Sequence, residues 1–306
     1  MNEFTPIPKW DIPCPEDGVY ENMPNEDYHR IDALNASTVK AFCQSGIHGE
    51  HSLYKPNEGA AALWFGSAFH SALLEPEDFE ARVHHYEDTG IGPTAEVAHK
   101  RYLEDHPDAI AMRKGWAEQI GDMTNRINSH PACPYMLHGT EGQNELTFIW
   151  RVPLDIDGQR VLVPCRARAD RFIPAFSPYE GADEVAGIID LKTCRDSSPN
   201  GFERDIGNYS YHIQAAWYLA GAIACGRLDK LHDNCYTIIA VEKSPPHPVG
   251  VYPINTASLQ YGVQECWRGM RAYVKYRMHG HAEGPTDTKI PMGLPVWAMP
   301  DNTTAR

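Results

Sequence analysis

The apolar residues of this chain recur with two different spacings. In the first half they follow every third or fourth residue, which predicts a core-facing helix at 62–74 and a more polar helical region at 94–129. In the second half apolar and polar residues alternate, as in strands with one buried face. The pair Asp157-Gly158 interrupts this alternation and predicts a tight turn between strands at 144–154 and 160–173.

Further strands and helices are predicted along the rest of the chain. An apolar strand at 185–193 precedes a helix at about 207–225, two short strands between 233 and 254, and a final helix at 256–279. This order predicts an α/β or α+β architecture, in which helices flank a central mixed sheet and the N-terminal part is helical.

The two ends of the chain differ in composition from its middle. Residues 1–35 are rich in proline, asparagine and acidic residues, so we expect an extended N-terminal arm. We expect a single domain at 36–280, with a helical part at 36–140 and a sheet core at 141–280. The Pro/Gly-rich segment 281–306 is predicted to be a loose tail.

Composition restricts the classes of function. The 27 basic and 41 acidic residues give a formal charge of −14, which argues against sequence-independent binding of nucleic acid by bulk charge. A local basic groove, or a site where metal ions meet phosphate, stays compatible with this charge. The eight cysteines include no C-x-x-C pair, so we expect reduced, mostly buried thiols rather than a zinc ribbon or redox dithiol.

Membrane association is not expected. The chain has no run of about 18 apolar residues, the length that a membrane span requires. The first residues are acidic and proline-rich and lack the apolar centre of a signal peptide. We therefore expect a cytoplasmic protein.

The stretch GIIDLKTC, at 187–194, places charged residues at the end of an apolar strand. Asp190 and Lys192 are two residues apart and share one face of the strand. Asp170 lies at the end of the preceding strand, so strand pairing would bring the two carboxylates together. Because carboxylates at such separation repel, a hard divalent cation, Mg²⁺ or Mn²⁺, is the natural occupant, with the Leu191 carbonyl as a further ligand.

Lys192 beside such a cation suits phosphodiester hydrolysis. Its ammonium can hold a water or stabilise the negative charge that develops on phosphorus. Taken alone, the D-x-K tripeptide is equally compatible with a solvated ion pair at the surface, and the sequence leaves both interpretations open.

The ordered set of motifs is more specific than any one of them. GSAFH ends at His70, RAD ends at Asp170, DLKT spans 190–193, and Gln214 and Tyr218 lie four residues apart on one predicted helix. In this order the chain resembles the PD-(D/E)XK nuclease superfamily, and within it the RecE-like (exonuclease VIII) group of phage and prophage exodeoxyribonucleases in the RecB-like branch.

The resemblance implies a role for each motif. Asp170, Asp190 and the Leu191 carbonyl would bind the metal, Lys192 would position the attacking water, and His70 would be a ligand to the same or a second metal. For His70 the alternative is a hydrogen-bonded core histidine.

Further residues acquire candidate roles from the same resemblance. The helix that carries Gln214, Tyr218 and, one turn earlier, Tyr211 would face the active site and the DNA end. Glu145 would lie near the second metal or the water, and its alternative is an exposed glutamate at a strand end. Arg166 and Arg168 share the face of Asp170 and would meet phosphate, or else pair with neighbouring acids.

The resemblance implies a Mg²⁺-dependent exodeoxyribonuclease, encoded by a bacterium or a phage. It would degrade linear double-stranded DNA from its ends, 5′ to 3′, and leave 3′ single-stranded tails for recombination by strand annealing. The implied partners are DNA ends, a single-strand annealing protein and further copies of the chain in a ring, and no iron–sulfur cluster is expected.

Two alternatives stay open. One is a catalytically weak DNA-end-binding or assembly module of the same fold. The other is a zinc hydrolase that uses closely spaced histidines: His48 with His51, or His279 with His281.

Overall fold

The computed structural model describes residues 13–54, 61–86, 93–137, 141–176, 184–286 and 289–292. The strands are β1 (Gly18–Tyr20), β2 (Val83–His85), β3 (Ile110–Met112), β4 (Gln143–Ile156), β5 (Gln159–Phe176), β6 (Val185–Cys194), β7 (Tyr236–Glu242) and β8 (Val249–Pro253). The helices are α1 (Asn25–Arg30), α2 (Ala36–Gln44), α3 (Gly46–Tyr54), α4 (Ala61–Leu74), α5 (Pro76–Arg82), α6 (Pro93–Asp105), α7 (Trp116–Ser129), α8 (Cys133–Leu137), α9 (Pro199–Asn208), α10 (Tyr211–Ala224) and α11 (Thr256–His279).

A six-stranded mixed sheet in the order β1-β4-β5-β6-β7-β8 forms the centre of the fold. The predicted hairpin of β4 and β5 is confirmed, and its turn residues Asp157 and Gly158 have φ angles of 50° and 77°. Positive φ at both positions is the type I′ conformation, which matches the twist of the flanking strands. β6 runs antiparallel to β5 and parallel to β7, so the sheet is mixed as the sequence predicts.

Helices cover both faces of this sheet. Along β6 and β7 alternate residues enter two different apolar clusters, because successive side chains of a strand point to opposite faces. Ile188 and Ile238 pack in the larger cluster with residues of α2, α10 and α11, whereas Ile189 and Ile239 pack in the smaller cluster with residues of α4 and α7. Asp190 therefore belongs to the face of β6 that α10 covers.

The N-terminal segment differs from the expected extended arm. β1 pairs with β4 and covers what would otherwise be an open sheet edge, which proteins rarely leave exposed. α1 follows, and its Tyr28 is only 8% exposed. Proline and acidic content therefore misled the prediction, since pairing and burial order the part of this segment that the structure describes.

Two predicted helical regions are interrupted. The region 94–129 is divided into α6 and α7 by β3, after Pro107 and before Gly115, whose φ is 85°. A proline disfavours helical conformation in the residue before it, which explains the end of α6 at Asp105. The helix predicted at 207–225 begins instead at Tyr211, after a break at Ser210 with a φ of 53°.

The C-terminal elements follow the prediction closely. α11 begins after Asn255, whose side chain accepts a hydrogen bond from the Ser258 amide, and ends at Gly280 in the left-handed conformation. Beyond it the described residues 281–286 and 289–292 contain neither helix nor strand. Within the described part of the chain, no helix combines the length and the apolar character needed to span a bilayer.

Candidate active site between strands β5 and β6

The two predicted acids meet across neighbouring strands. Arg171 of β5 pairs with Ile189 of β6, which places Asp170 and Asp190 side by side in the antiparallel ladder. The Oδ2 atom of Asp170 accepts a hydrogen bond from the Leu191 amide at 2.8 Å. This hydrogen bond joins residues twenty-one positions apart in the sequence directly at the site.

Asp190 is fully buried and held by α10. Its Oδ1 atom accepts a hydrogen bond from Gln214 Nε2 at 2.8 Å, and its Oδ2 atom forms an ion pair with the Lys192 ammonium. That ion pair lacks hydrogen-bond geometry, so the buried Oδ2 atom has no regular hydrogen-bond partner. Burial raises the pKa of Asp190, which Lys192 opposes and Asp170 reinforces.

Lys192 is enclosed by groups that favour its charged form. Its Nζ atom lies 3.3 Å from the Leu191 carbonyl oxygen and 5.4 Å from the centre of the Tyr211 ring. Burial alone would lower the pKa of Lys192, but Asp190 and Asp170 outweigh burial and raise it. The ammonium therefore stays protonated at neutral pH and offsets part of the negative charge of the two acids.

His70 approaches the acids from α4. Its Nδ1 atom lies 3.5 Å from Asp170 Oδ2, and the two side chains are 24% and 15% exposed. The histidine is thus at the rim of the site, in contact with one predicted metal ligand, rather than enclosed in the core.

Glu145 lies at the same end of the sheet in an unusual backbone conformation. Its φ of 49° is in the left-handed region, which costs free energy for a residue with a Cβ atom. Its Oε2 atom pairs with Arg168 Nε at 2.8 Å. Burial raises the pKa of Glu145 to about 7, an effect that Arg168 opposes and that Asp170 and Glu75 reinforce.

The two arginines of β5 that were predicted to meet phosphate, Arg166 and Arg168, are not free at the surface of the site. Arg166 is 7% exposed and its guanidinium lies 4.7 Å from the centre of the Tyr28 ring. Arg168 stacks on the same ring at 4.9 Å, and its Nη2 atom donates a hydrogen bond to Asn25 Oδ1 at 2.7 Å. α1 therefore covers Arg166, and Arg168 pairs with the neighbouring acid Glu145. The phosphate contacts expected of the two arginines stay predictions.

A comparison with protein-family models identifies the family of this chain. A family model described as a PDDEXK-like domain of unknown function (DUF3799) matches residues 35–286. The chain belongs to this family. The match confirms the predicted superfamily, while assignment to its RecE-like group stays a prediction.

Comparison with solved structures agrees with the PDDEXK-like fold. A crystal structure described as "Putative exonuclease" from Eubacterium rectale superimposes with a TM-score of 0.53 at 15% sequence identity. The match covers 90% of this chain and 97% of the other. At this identity the comparison shows a common fold alone. No curated protein matches the chain.

The donor atoms of this PDDEXK-like site fit a small oxygen-seeking cation. Among the residues that the structure describes, no three histidine, cysteine, aspartate or glutamate side chains form a metal cluster. Mg²⁺, however, is commonly held by one or two carboxylates and keeps several waters. The Asp190 Oδ2 atom, which is ion-paired with Lys192 but accepts no regular hydrogen bond, and the neighbouring Asp170 carboxylate provide such a donor set.

One histidine in each pair of the zinc alternative has another partner. His48 Nδ1 bonds with Ser45 Oγ at 2.7 Å, and His279 Nε2 pairs with Asp157 at 3.1 Å. These contacts explain both histidines as local structural residues, and no zinc site is proposed.

The structure adds residues that sequence reasoning missed. The Tyr236 hydroxyl is buried beside Asp190 but makes no hydrogen bond of regular geometry. Its ring packs edge-on against that of Tyr218, a predicted site residue, with centroids 6.4 Å apart. Tyr236 opens an apolar strand and carries no sequence signal. Lys40 and Tyr28 also lie near the site, although the sequence assigned a role to neither.

Proposed function

We propose that the protein is a metal-dependent nuclease that hydrolyses DNA phosphodiester bonds. The observation that carries this proposal is the convergence of Asp170, Asp190 and Lys192 at one point of a PDDEXK-like fold. Two carboxylates and a lysine that share a buried pocket supply both a cation site and a proton-bearing group beside it.

Each residue has a distinct task in this proposal. Asp170, Asp190 and the Leu191 carbonyl would hold Mg²⁺ or Mn²⁺, which when bound neutralises the phosphate and activates water. Gln214 keeps the Asp190 carboxylate in one orientation by its 2.8 Å hydrogen bond. Lys192 holds a water or the phosphate through its ammonium, which the two acids keep protonated.

We further propose that the enzyme acts as an exonuclease on the ends of linear double-stranded DNA. The 5′ to 3′ direction and the 3′ tails made for an annealing partner are supported by the ordered motifs alone. A ring of several copies would reconcile the charge of −14 with DNA binding, since the basic residues would line its channel. Sedimentation that shows only monomer at micromolar concentration would overturn the ring.

The decisive experiment compares linear and covalently closed circular duplex of the same sequence with Mg²⁺. We expect the wild type to degrade only the linear form and EDTA to abolish degradation. End labels on each strand report direction. Asp190→Ala should be inactive, with an unchanged circular dichroism spectrum. Binding of linear DNA without cleavage would overturn the nuclease proposal in favour of the end-binding module.

A further inference from the structure

A second ammonium lies next to the proposed catalytic centre. Lys40 of α2 is partly buried, and its Nζ atom donates a hydrogen bond to the Tyr209 carbonyl oxygen at 3.4 Å. Lys192 is close enough to repel its charge, while Asp190 attracts it more weakly. The site therefore contains one lysine that is ion-paired with an acid and a second that is not.

Lys40 has no acidic partner among the described residues. The ion pairs of the described chain include none with this side chain, and its hydrogen bond is to a neutral carbonyl. Burial, and then repulsion by Lys192, lower the pKa of Lys40 to about 8. Holding an unpaired cation in such surroundings opposes folding, so a structural role gives no reason for it.

The residue whose carbonyl accepts the Lys40 hydrogen bond carries an exposed aromatic ring. Tyr209 is 59% exposed, and its ring stacks on that of Tyr211 with centroids 5.6 Å apart and planes inclined by 28°. The Tyr211 ring in turn lies 5.4 Å from Lys192 Nζ. Tyr209 is thus the solvent-facing end of a stack that begins at the proposed catalytic lysine.

We propose that Lys40 and Tyr209 form a nucleotide subsite beside the scissile bond. The Lys40 ammonium binds a phosphate of the cleaved strand, and the Tyr209 ring stacks on an unpaired base of that strand. Aromatic rings together with cations are the usual elements of single-strand recognition, because every base has a π face and every linkage carries a charge. This subsite rests on the proposed nuclease function and refines its substrate to a locally unpaired strand end.

The phosphate contact is tested by binding in EDTA, where cleavage does not interfere. A fluorescent duplex with a short single-stranded end is titrated with wild type, Lys40→Met, Lys40→Arg and, as a matched charge control, Lys275→Met on the exposed face of α11. We expect Lys40→Met to weaken binding roughly tenfold and to reduce the salt slope by about one unit. Lys40→Arg should bind with nearly the affinity of the wild type, and Lys275→Met should bind with the wild-type affinity.

Substrates with one neutral methylphosphonate linkage identify the phosphate. When the methylphosphonate stands at the contacted linkage, the wild type should bind more weakly than it binds the unmodified substrate. Lys40→Met should bind the modified and unmodified substrates equally. Ends with a 5′-phosphate or a 5′-hydroxyl distinguish a terminal phosphate from an internal diester. Equal effects of Lys40→Met and Lys275→Met, or a thermal midpoint that falls on Lys40→Met as a structural lysine requires, would overturn the phosphate role.

The stacking contact is tested with a separate set of variants and substrates. Tyr209→Ala should weaken binding of the same end about tenfold, whereas Tyr209→Phe should keep it. Placing an abasic residue at the stacked position should remove the difference between wild type and Tyr209→Ala. Tyr54→Ala, at an equally exposed tyrosine of α3, should bind as wild type.

The outcomes separate this inference from the nuclease proposal. Cleavage of the same duplex by wild type with Mg²⁺ is measured in parallel. Wild-type cleavage with no loss of binding in Lys40→Met and Tyr209→Ala would overturn the subsite and leave the nuclease intact. Neither cleavage nor binding by the wild type would overturn both.

Discussion

Replacing Asp190 by asparagine separates the structural role of the buried ion pair from its chemistry. The amide keeps the volume of the side chain, and its oxygen can still accept the Gln214 hydrogen bond. Its NH₂ group would then face the Lys192 ammonium, so two donors oppose each other. The site is enclosed, with the Asp190 and Lys192 side chains 1% and 18% exposed.

The size of the effect follows from these contacts. Removing one partner of a buried ion pair costs about 3–5 kcal/mol of unfolding free energy when the remaining charge is trapped. Here the ammonium keeps the Leu191 carbonyl, the field of Asp170 and some solvent access, so we expect about 2 kcal/mol. For a domain of this size that loss lowers the thermal midpoint by roughly 4–8 °C.

A double variant tests the coupling. Asp190→Asn with Lys192→Met removes both charges and should be more stable than the sum of the single changes implies, by about 1–3 kcal/mol. All three variants should be inactive. The coupling is measured by thermal or urea unfolding in EDTA, with circular dichroism as the probe.

Metal binding gives a readout independent of activity. Mn²⁺ or Mg²⁺ at ten times its dissociation constant should stabilise the wild type by about 1.4 kcal/mol and should not stabilise Asp190→Asn. Additivity of the single variants within about 0.5 kcal/mol would refute the ion pair. An equal metal-induced shift in Asp190→Asn would place the metal elsewhere.

Three further predictions follow from other contacts. Gln214→Leu should retain the fold and slow single-turnover cleavage about 10- to 100-fold, because the buried Asp190 carboxylate loses its only amide donor among the described residues; unchanged cleavage would exclude this role. Gly262→Ala should lower the unfolding free energy by about 1–3 kcal/mol, since a Cβ atom would lie 2.2 Å from a backbone carbonyl oxygen of α10. Gly121→Ala in α7 meets nothing within 4 Å and should raise the unfolding free energy by roughly 0.5–1 kcal/mol. Urea titrations in which both variants shift the unfolding midpoint in the same direction would contradict this packing. Lys40→Met should be more stable than wild type at pH 7, and this advantage should be smaller at pH 9.5. The folded-state pKa of Lys40, about 8, is below the ordinary 10.5, so the free-energy cost of its charge is complete below pH 8 and disappears as the pH rises towards 10.5. A stability gain that does not change with pH would contradict this prediction.

Much of the fold was predictable from local pattern. Alternation and the Asp157-Gly158 pair predicted the hairpin, because strand period and turn conformation depend on residues a few positions apart. Asn255 and Gly280 mark the ends of the last helix for the same reason. The interruption near Ser210 was missed, since no local preference favours a left-handed serine.

The candidate site also combines features that local sequence predicts with features that depend on packing. The sequence by itself determined that Asp190 and Lys192 share a face, that Asp170 ends the preceding strand, and that Gln214 and Tyr218 share one face of a helix. Only the tertiary structure decided that α1 encloses Arg166 and that Lys40 reaches the site from α2. Side-chain period is a property of a single element, whereas enclosure and long-range approach depend on how separate elements pack, and packing is set by the burial of the whole core.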